Sequence, residues 1–392
     1  MNLLSSTSIF GFYTLISRIL GYIRDILIAT FLGASIFADA FFVAFRIPNT
    51  FRRLFAEGTF NAAFIPSYTS EKIKSGGKKF ADEVYTLLTI ILLAIVFIVE
   101  IFTPYFVYLI APGFYTNPEK FSLAVELTRI TFPFLIFVSL SSFFSGILNS
   151  NNKFAAAAAA PIILNIVLIL TLLASFIFNL NFAKNLSYGV TFSGIIQLIF
   201  LILFCKKYYK PSFTLKSKIS DKVKFFLKKL LPSVFSSGVT QVNILVGTII
   251  ASFQSGAVSY LYYADRVYQI NLAIAGIAVG TVSLPVLAKT LKLGKTDEAI
   301  KIQNKSIELC LLLSIPACFA LLLASNEIIN ALFGYGSFNE ESIALTGAAL
   351  KYFGYGIPAF ALIKILSNFF FARDDTKTPF YLSLFSVILN VI

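Results

Sequence analysis

Charged side chains recur at helical spacing inside a long apolar stretch of this 392-residue chain, between residues 36 and 66. Asp39, Arg46, Arg53 and Glu57 follow one another at intervals of 7, 7 and 4 residues, which keeps them on one face of a helix. Arg53 and Glu57 can also pair at i, i+4. The spacing predicts a charged stripe along one helix. Charges within such an apolar segment are costly, so they indicate a functional site.

Two further stretches add to this charged set, one around Arg24 and one around Arg266. A guanidinium matches phosphate oxygens two at a time and never loses its proton, so arginines in a membrane favour a phosphate-bearing substrate. A network that serves only structure or gating is the alternative. The set has an excess of two positive charges and comprises Arg18, Arg24, Arg46, Arg52, Arg53 and Arg266 with Asp25, Asp39, Glu57 and Asp265. Lys364 is assigned to the cavity or gate beside it.

Other kinds of chemistry find no support in the sequence. The chain has no histidine, and Cys205, Cys310 and Cys318 lack metal-ligand spacing, so no catalytic residue or metal site is predicted. A Gly-rich phosphate loop of the GxxxxGKS type, which would indicate a nucleotide-driven pump, is also absent from the sequence. We therefore expect a protein that is not an enzyme and has no cofactor.

The composition places these residues in lipid, since 57% of the chain is apolar, 13% is charged and the mean hydropathy is +0.83. Crossing the bilayer takes about 20 apolar residues in a helix. The sequence therefore predicts an all-α polytopic membrane protein. The predicted spans are 4–30, 36–66, 84–110, 121–148, 155–178, 186–205, 230–254, 257–288, 306–324 and 343–371, with an eleventh opening at Thr378.

Lysine and arginine are distributed unequally between alternate loops, with 20 on one side and only Lys120 and Lys184 on the other. Basic loops stay in the cytoplasm, so this bias predicts a cytoplasmic N-terminus. The net charge of +13 therefore reflects the basic residues of the cytoplasmic loops, and no nucleic acid is expected as a partner.

Landmark residues repeat along the chain, because Pro133 matches Pro358 and Asn165 matches Asn390, both at an offset of 225. The repeat predicts two parallel six-helix lobes, residues 1–205 and 230–392, with the second lobe incomplete in this chain. Residues 206–229 form a basic cytoplasmic linker between them. Its apolar residues favour an amphipathic helix on the anionic inner leaflet, with a solvated loop as the alternative; these residues are Val223, Phe225, Phe226 and Leu227.

Several ordered motifs resemble the MurJ (MviN) family of the multidrug/oligosaccharidyl-lipid/polysaccharide exporter superfamily. The resemblance runs from Met1 to the last residue. The most specific motifs are SRILGYIRD at 17–25, ADAFFVAFRIPNTFRRLFAEGTFNAAFIP at 38–66, APGF at 111–114, LTRITFP at 127–133 and YYADR at 262–266.

The resemblance implies two lobes around a central cavity that opens alternately to cytoplasm and periplasm. Its implied cargo is lipid II, an undecaprenyl-diphosphate-linked disaccharide peptide. Family arginines regarded as essential fall on Arg18, Arg24, Arg52 and Arg266, and cavity carboxylates on Asp25, Asp39, Glu57 and Asp265. Ser17 and Ser259 match small polar positions of the cavity. Some relatives carry an ion-binding carboxylate where this chain has Gly247.

We therefore expect a lipid II flippase of the bacterial inner membrane that serves cell-wall synthesis, with membrane lipids and other wall-synthesis proteins as partners. Membrane potential or a monovalent cation is the candidate driving force. An exporter of another polyprenyl-diphosphate-linked saccharide or of a drug is the runner-up, although a cationic-drug exporter should have an acidic or aromatic cavity. A scaffolding protein of the wall machinery is a third reading.

Overall fold

The computed structural model describes residues 3–56, 59–214, 219–373, 375 and 377–391. All the regular elements in these residues are helical, which confirms the predicted all-α class. A 3-10 turn at Pro112–Thr116 and a π-helical segment at Ala273–Ala278 interrupt the α-helices. The α-helices are α1 Leu3–Leu32, α2 Ile36–Ala56, α3 Thr59–Ile73, α4 Gly77–Ile101, α5 Thr103–Ile110, α6 Pro118–Thr131, α7 Phe134–Ser150, α8 Phe154–Ile177, α9 Phe182–Cys205, α10 Asp221–Ala251, α11 Ala257–Leu272, α12 Val279–Lys292, α13 Thr296–Leu323, α14 Ser325–Phe333, α15 Glu340–Phe371 and α16 Lys377–Val391.

Seven helical segments of the described chain are long and apolar enough to cross a membrane. Large apolar side chains along them are exposed, among them Phe97, Leu170 and Leu312. A soluble protein would bury most such side chains, whereas a lipid-facing surface leaves them outside. The segments are Gly77–Ile101, Pro118–Ser150, Phe154–Ile177, Phe182–Cys205, Ala257–Lys292, Thr296–Leu323 and Glu340–Phe371.

Several predicted spans are divided into shorter helices. The span predicted at 84–110 begins seven residues earlier, at Gly77, and is divided at Phe102, after which Thr103 and Pro104 open α5. The span at 121–148 is divided into α6 and α7 around Pro133. Proline lacks the amide proton of a helical bond and clashes with the preceding turn, which favours an interruption at these two places. The span at 36–66 corresponds to α2 and α3, and residues 57–58 between them lie outside the described residues.

The element order repeats as the sequence landmarks predict. Helices α1 to α6 begin 218 to 222 residues before α10 to α15 in the same order, and α8 begins 223 residues before α16. The helix pair α6 and α7, interrupted at Pro133, corresponds to the single helix α15, which continues through Pro358.

The chain divides into two compact units, Met1–Ser255 and Gly256–Ile392. The first unit thus extends beyond the predicted lobe boundary at residue 205 and includes α10. An aromatic core in this unit joins α3, α4, α7 and α10, with Phe64 and Phe143 fully buried in it. In the second unit, α15 packs against α11 and α13, around Cys310, Ala361 and Ile365.

The predicted linker 206–229 does not form a separate element. Its last residues are the first turns of α10, which begins after the N-cap residue Ser220. Val223 and Phe226 are buried in the aromatic core, where Phe226 lies edge-on against Phe60 and Phe80, so they cannot face the membrane surface. Only Phe225 of the aromatic pair is exposed.

The stretch before α10 is anchored on α4 by hydrogen bonds. The Tyr209 hydroxyl donates to Asp82 Oδ1 at 2.7 Å, and the Ser212 amide donates to the same oxygen at 3.0 Å. Ser220 donates to Glu83. These contacts explain how Asp82 and Glu83 can be buried at the start of a membrane-length helix, because a buried carboxylate needs donors around it.

Candidate substrate-binding site

Arg24 is the centre of a buried polar network on α1. Its Nη2 lies 2.6 Å from Asp25 Oδ1, and its Nε donates to the same oxygen at 3.0 Å. Arg24 is 6% exposed and Asp25 is 2% exposed, so the pair is removed from solvent. The carboxylate balances the guanidinium charge at a buried position, where an isolated charge would be costly.

Asn165 on α8 completes this network. Arg24 Nη1 donates to Asn165 Oδ1 at 2.9 Å, and Asn165 Nδ2 donates to the Ser17 carbonyl at 2.8 Å. The Ser17 hydroxyl lies 3.4 Å from the same Nδ2. These bonds connect α8 to α1 at two positions along α1, since Ser17 and Arg24 are two helical turns apart. Gly21 lies between them, where a Cβ would contact the Asn165 amide at 3.5 Å.

Asp39 takes part in a second buried ion pair, with Lys120. Lys120 Nζ lies 2.6 Å from Asp39 Oδ2, and the side chains are 5% and 0% exposed. The ammonium also stands 4.0 Å from the centre of the Phe114 ring, a cation–π geometry. The prediction that Lys120 belongs to an outer loop is therefore wrong. Asn117 caps the helix and Pro118 opens it, so Lys120 lies in the first turn of α6.

The remaining residues of the predicted stripe on α2 are only partly described. Arg46 is half-buried and has interactions of its own. The side chains of Arg52 and Arg53 and the whole of Glu57 lie outside the described residues, and with them the predicted Arg53–Glu57 pair.

In the second unit, Arg266 on α11 is held by a tyrosine one turn before it. Its Nη2 donates to the Tyr262 hydroxyl at 2.8 Å, and its guanidinium carbon lies 4.8 Å from the centre of the Tyr262 ring. The neighbouring Asp265 accepts a hydrogen bond from Gln269. Ser259 is fully buried near the start of the same helix.

The structure brings together only some of the predicted site residues. Ser17, Arg24 and Asp25 form one network, and Asp39 belongs to a different ion pair in the same unit. Arg18 on α1 and Lys364 on α15 are exposed. No group of three or more His, Cys, Asp or Glu that could hold a metal ion is found in the described part of the chain.

Comparison with known proteins decides the family. The family model "Lipid II flippase MurJ" matches residues 28–392. The chain belongs to the MurJ family of lipid II flippases. A probable lipid II flippase MurJ of Rhizobium tropici is 43% identical over 398 residues, which cover 100% of this chain and 74% of that protein. The lipid II flippase MurJ of Burkholderia cenocepacia is 33% identical, with coverage of 100% and 77%.

Solved structures agree with this assignment. A MurJ lipid II flippase in an inward closed conformation matches with a TM-score of 0.86 and 29% identity, covering 97% of this chain and 79% of that one. An inward-facing multidrug transporter of the MATE family matches with a TM-score of 0.75 and 15% identity, covering 95% and 84%, which shows a shared fold alone. The chain is thus a multi-span membrane transporter of the MurJ family and not an enzyme.

Proposed function

We propose that this chain moves lipid II from the cytoplasmic to the periplasmic leaflet of the bacterial inner membrane by alternating access, to supply cell-wall synthesis. Membership of the MurJ family supports lipid II over another lipid-linked saccharide or a drug. The buried Arg24 network carries the chemistry of the proposal, because it places a permanent cation inside a membrane protein with its charge already balanced.

In this mechanism the diphosphate of lipid II binds to arginines while the polyprenyl chain stays in lipid. Arg24 of the first unit and Arg266 of the second are the described candidates, with Arg18, Arg52 and Arg53 as further ones. A guanidinium gives a diphosphate two parallel hydrogen bonds, which a lysine cannot do. Asp25 and Asn165 hold Arg24 when no substrate is present, and the diphosphate exchanges with part of this shell on binding.

The proposed orientation has the N-terminus in the cytoplasm. It is supported by the unequal distribution of basic residues between alternate loops, and Lys120 no longer counts among the outer-loop exceptions because it is buried in α6. Membrane potential or a monovalent cation gradient resets the cycle, and other wall-synthesis proteins receive the exported lipid II. These two statements rest on the sequence and the family resemblance.

Complementation tests the proposal. Bacteria depleted of their own lipid II flippase receive this chain, Arg24→Ala, Arg266→Ala or Lys305→Ala. Lys305 is an exposed residue whose ammonium pairs with Glu308 at 3.0 Å, so it is a control for loss of a positive charge elsewhere. We expect growth with the unaltered chain and with Lys305→Ala, and none with the arginine variants at equal membrane abundance. Growth with both arginine variants would contradict the arginine mechanism.

A further inference from the structure

Asn165 joins the Arg24 network from a second helix, α8, and its contacts fix the direction of its amide. The oxygen accepts from Arg24 Nη1 at 2.9 Å, and the nitrogen donates to the Ser17 carbonyl at 2.8 Å. Rotating the amide by 180° would set its nitrogen against a guanidinium and its oxygen against a carbonyl, so the two bonds specify one orientation. Asn165 is 5% exposed, which makes both bonds stronger than they would be in water.

The electrostatics of the site require an acceptor without charge at this position. Arg24 and Asp25 carry opposite charges and lie 2.6 Å apart, so together they are close to neutral. A carboxylate at residue 165 would give the group of three a net negative charge and would repel a diphosphate. The helices that pack on α8 besides α1 add little, since α7 has no charged residue and α9 has only Lys184, which pairs with Glu126.

We propose that Asn165 is a positioning residue for substrate binding, which orients the Arg24 guanidinium toward the diphosphate and, as a neutral acceptor, adds no second negative charge beside it. This inference rests on the proposed function. It assigns Asn165 a role through Arg24 and not through contact with the substrate. Asp25, a neighbour on the same helix, accepts from Nε and Nη2 on its Oδ1 oxygen. Asn165 adds a bond to Nη1 from a different helix, so it fixes the direction of the guanidinium relative to α8.

A pair of substitutions separates this role from simple packing. Asn165→Asp keeps the shape, adds a negative charge and replaces the donor to the Ser17 carbonyl by an oxygen, whereas Asn165→Ala removes both the acceptor and the donor and leaves a cavity. If Asn165 only fills space between α1 and α8, Asn165→Asp is the milder change. If it acts as a neutral acceptor, Asn165→Asp is the more severe change for diphosphate binding. The two readings therefore predict opposite orders of affinity.

The measurement is retention of labelled lipid II by the purified full chain in detergent, with the unfolding temperature of each variant beside it. We expect affinity to fall roughly tenfold in Asn165→Ala, since one hydrogen bond to a charged group is lost. We expect a further loss of at least about tenfold in Asn165→Asp. Asn185→Ala and Asn185→Asp are matched controls, because the Asn185 amide donates to Ser175 in the last turn of α8, away from Arg24, and both should bind lipid II normally.

The results separate this inference from the proposed function. Failure of the unaltered chain to retain lipid II would overturn both. Retention by the unaltered chain with Asn165→Asp binding as well as Asn165→Ala or better would overturn the role of Asn165 and leave the proposed function standing. Weaker binding by Asn165→Asp than by Asn165→Ala, at an equal or higher unfolding temperature, supports the inference.

Discussion

The buried pair of Lys120 and Asp39 allows a quantitative prediction for Lys120→Met. Methionine keeps most of the volume of the lysine stem but removes the ammonium that stands 2.6 Å from Asp39 Oδ2. Because the Asp39 side chain is 0% exposed, water cannot replace the lost charge. Removing one partner of a buried ion pair costs ~3–5 kcal/mol of unfolding free energy.

The assay is thermal unfolding of the purified chain in detergent. For a domain of about 150–250 residues, 1 kcal/mol shifts the midpoint by roughly 2–4 °C, so Lys120→Met should unfold roughly 6–20 °C below the unaltered chain. Lys305→Met is the matched control, because its exposed pair with Glu308 should contribute less than about 1 kcal/mol.

A double substitution tests the cause. Asp39→Asn combined with Lys120→Met removes both charges, and we expect it to recover most of the lost stability, since the cost comes from one buried charge without its counter-charge. An unfolding midpoint of Lys120→Met equal to that of Lys305→Met would refute this account of the pair. A double variant no more stable than Lys120→Met would show that packing around Phe114 matters more than charge.

Two further predictions concern other contacts of the first unit. Gly113→Ala should lower the free energy of unfolding by ~1–3 kcal/mol in a thermal unfolding assay, because the added Cβ would lie 2.4 Å from backbone atoms of Ser252. Gly11→Ala is the control, because a Cβ there meets no atom within 4 Å, whereas Gly33 has a left-handed backbone conformation that would add strain of its own. Burial, with the hydrogen bond and charge of Asp82, raises the pKa of Tyr209 above its ordinary value near 10. The folded state therefore holds this proton more tightly than the unfolded state, so the free energy of unfolding should fall as the pH rises above about 10. Tyr209→Phe should show a smaller fall. Chemical denaturation of both chains between pH 7 and 11 measures the difference. Identical pH dependence of the two would contradict the Tyr209 assignment.

The fold class followed from sequence because hydropathy and helix length are local properties. An apolar run of twenty residues must hydrogen-bond within itself in lipid, so it is a helix whatever surrounds it. Divisions within spans were harder to predict. The interruption at Phe102 precedes a Thr-Pro pair and the one between α6 and α7 contains Pro133, but α15 continues through Pro358, so proline alone does not decide whether a helix is interrupted.

The partners of the buried charges could not be predicted, because they are distant in sequence. Asn165 is 141 residues from Arg24, and Lys120 is 81 residues from Asp39. The sequence around Asn165 and around Lys120 nevertheless contains a weak indication of each contact. Asn165 is a single polar residue in an apolar run, which in a membrane helix indicates a bonded or functional side chain. The sequence Asn117–Pro118 is a typical helix start, which indicates that Lys120 lies in a helix.

The most direct test of the central proposal is the fraction of lipid II that becomes accessible on the outer face of the inner membrane. It can be measured with an impermeant lipid II-cleaving enzyme in cells whose own flippase is depleted and replaced by this chain. We predict that the unaltered chain restores cleavage of most lipid II and that Arg24→Ala, at equal abundance, leaves it protected as in depleted cells. Lipid II that stays protected with the unaltered chain in the membrane would contradict the assignment as a lipid II flippase.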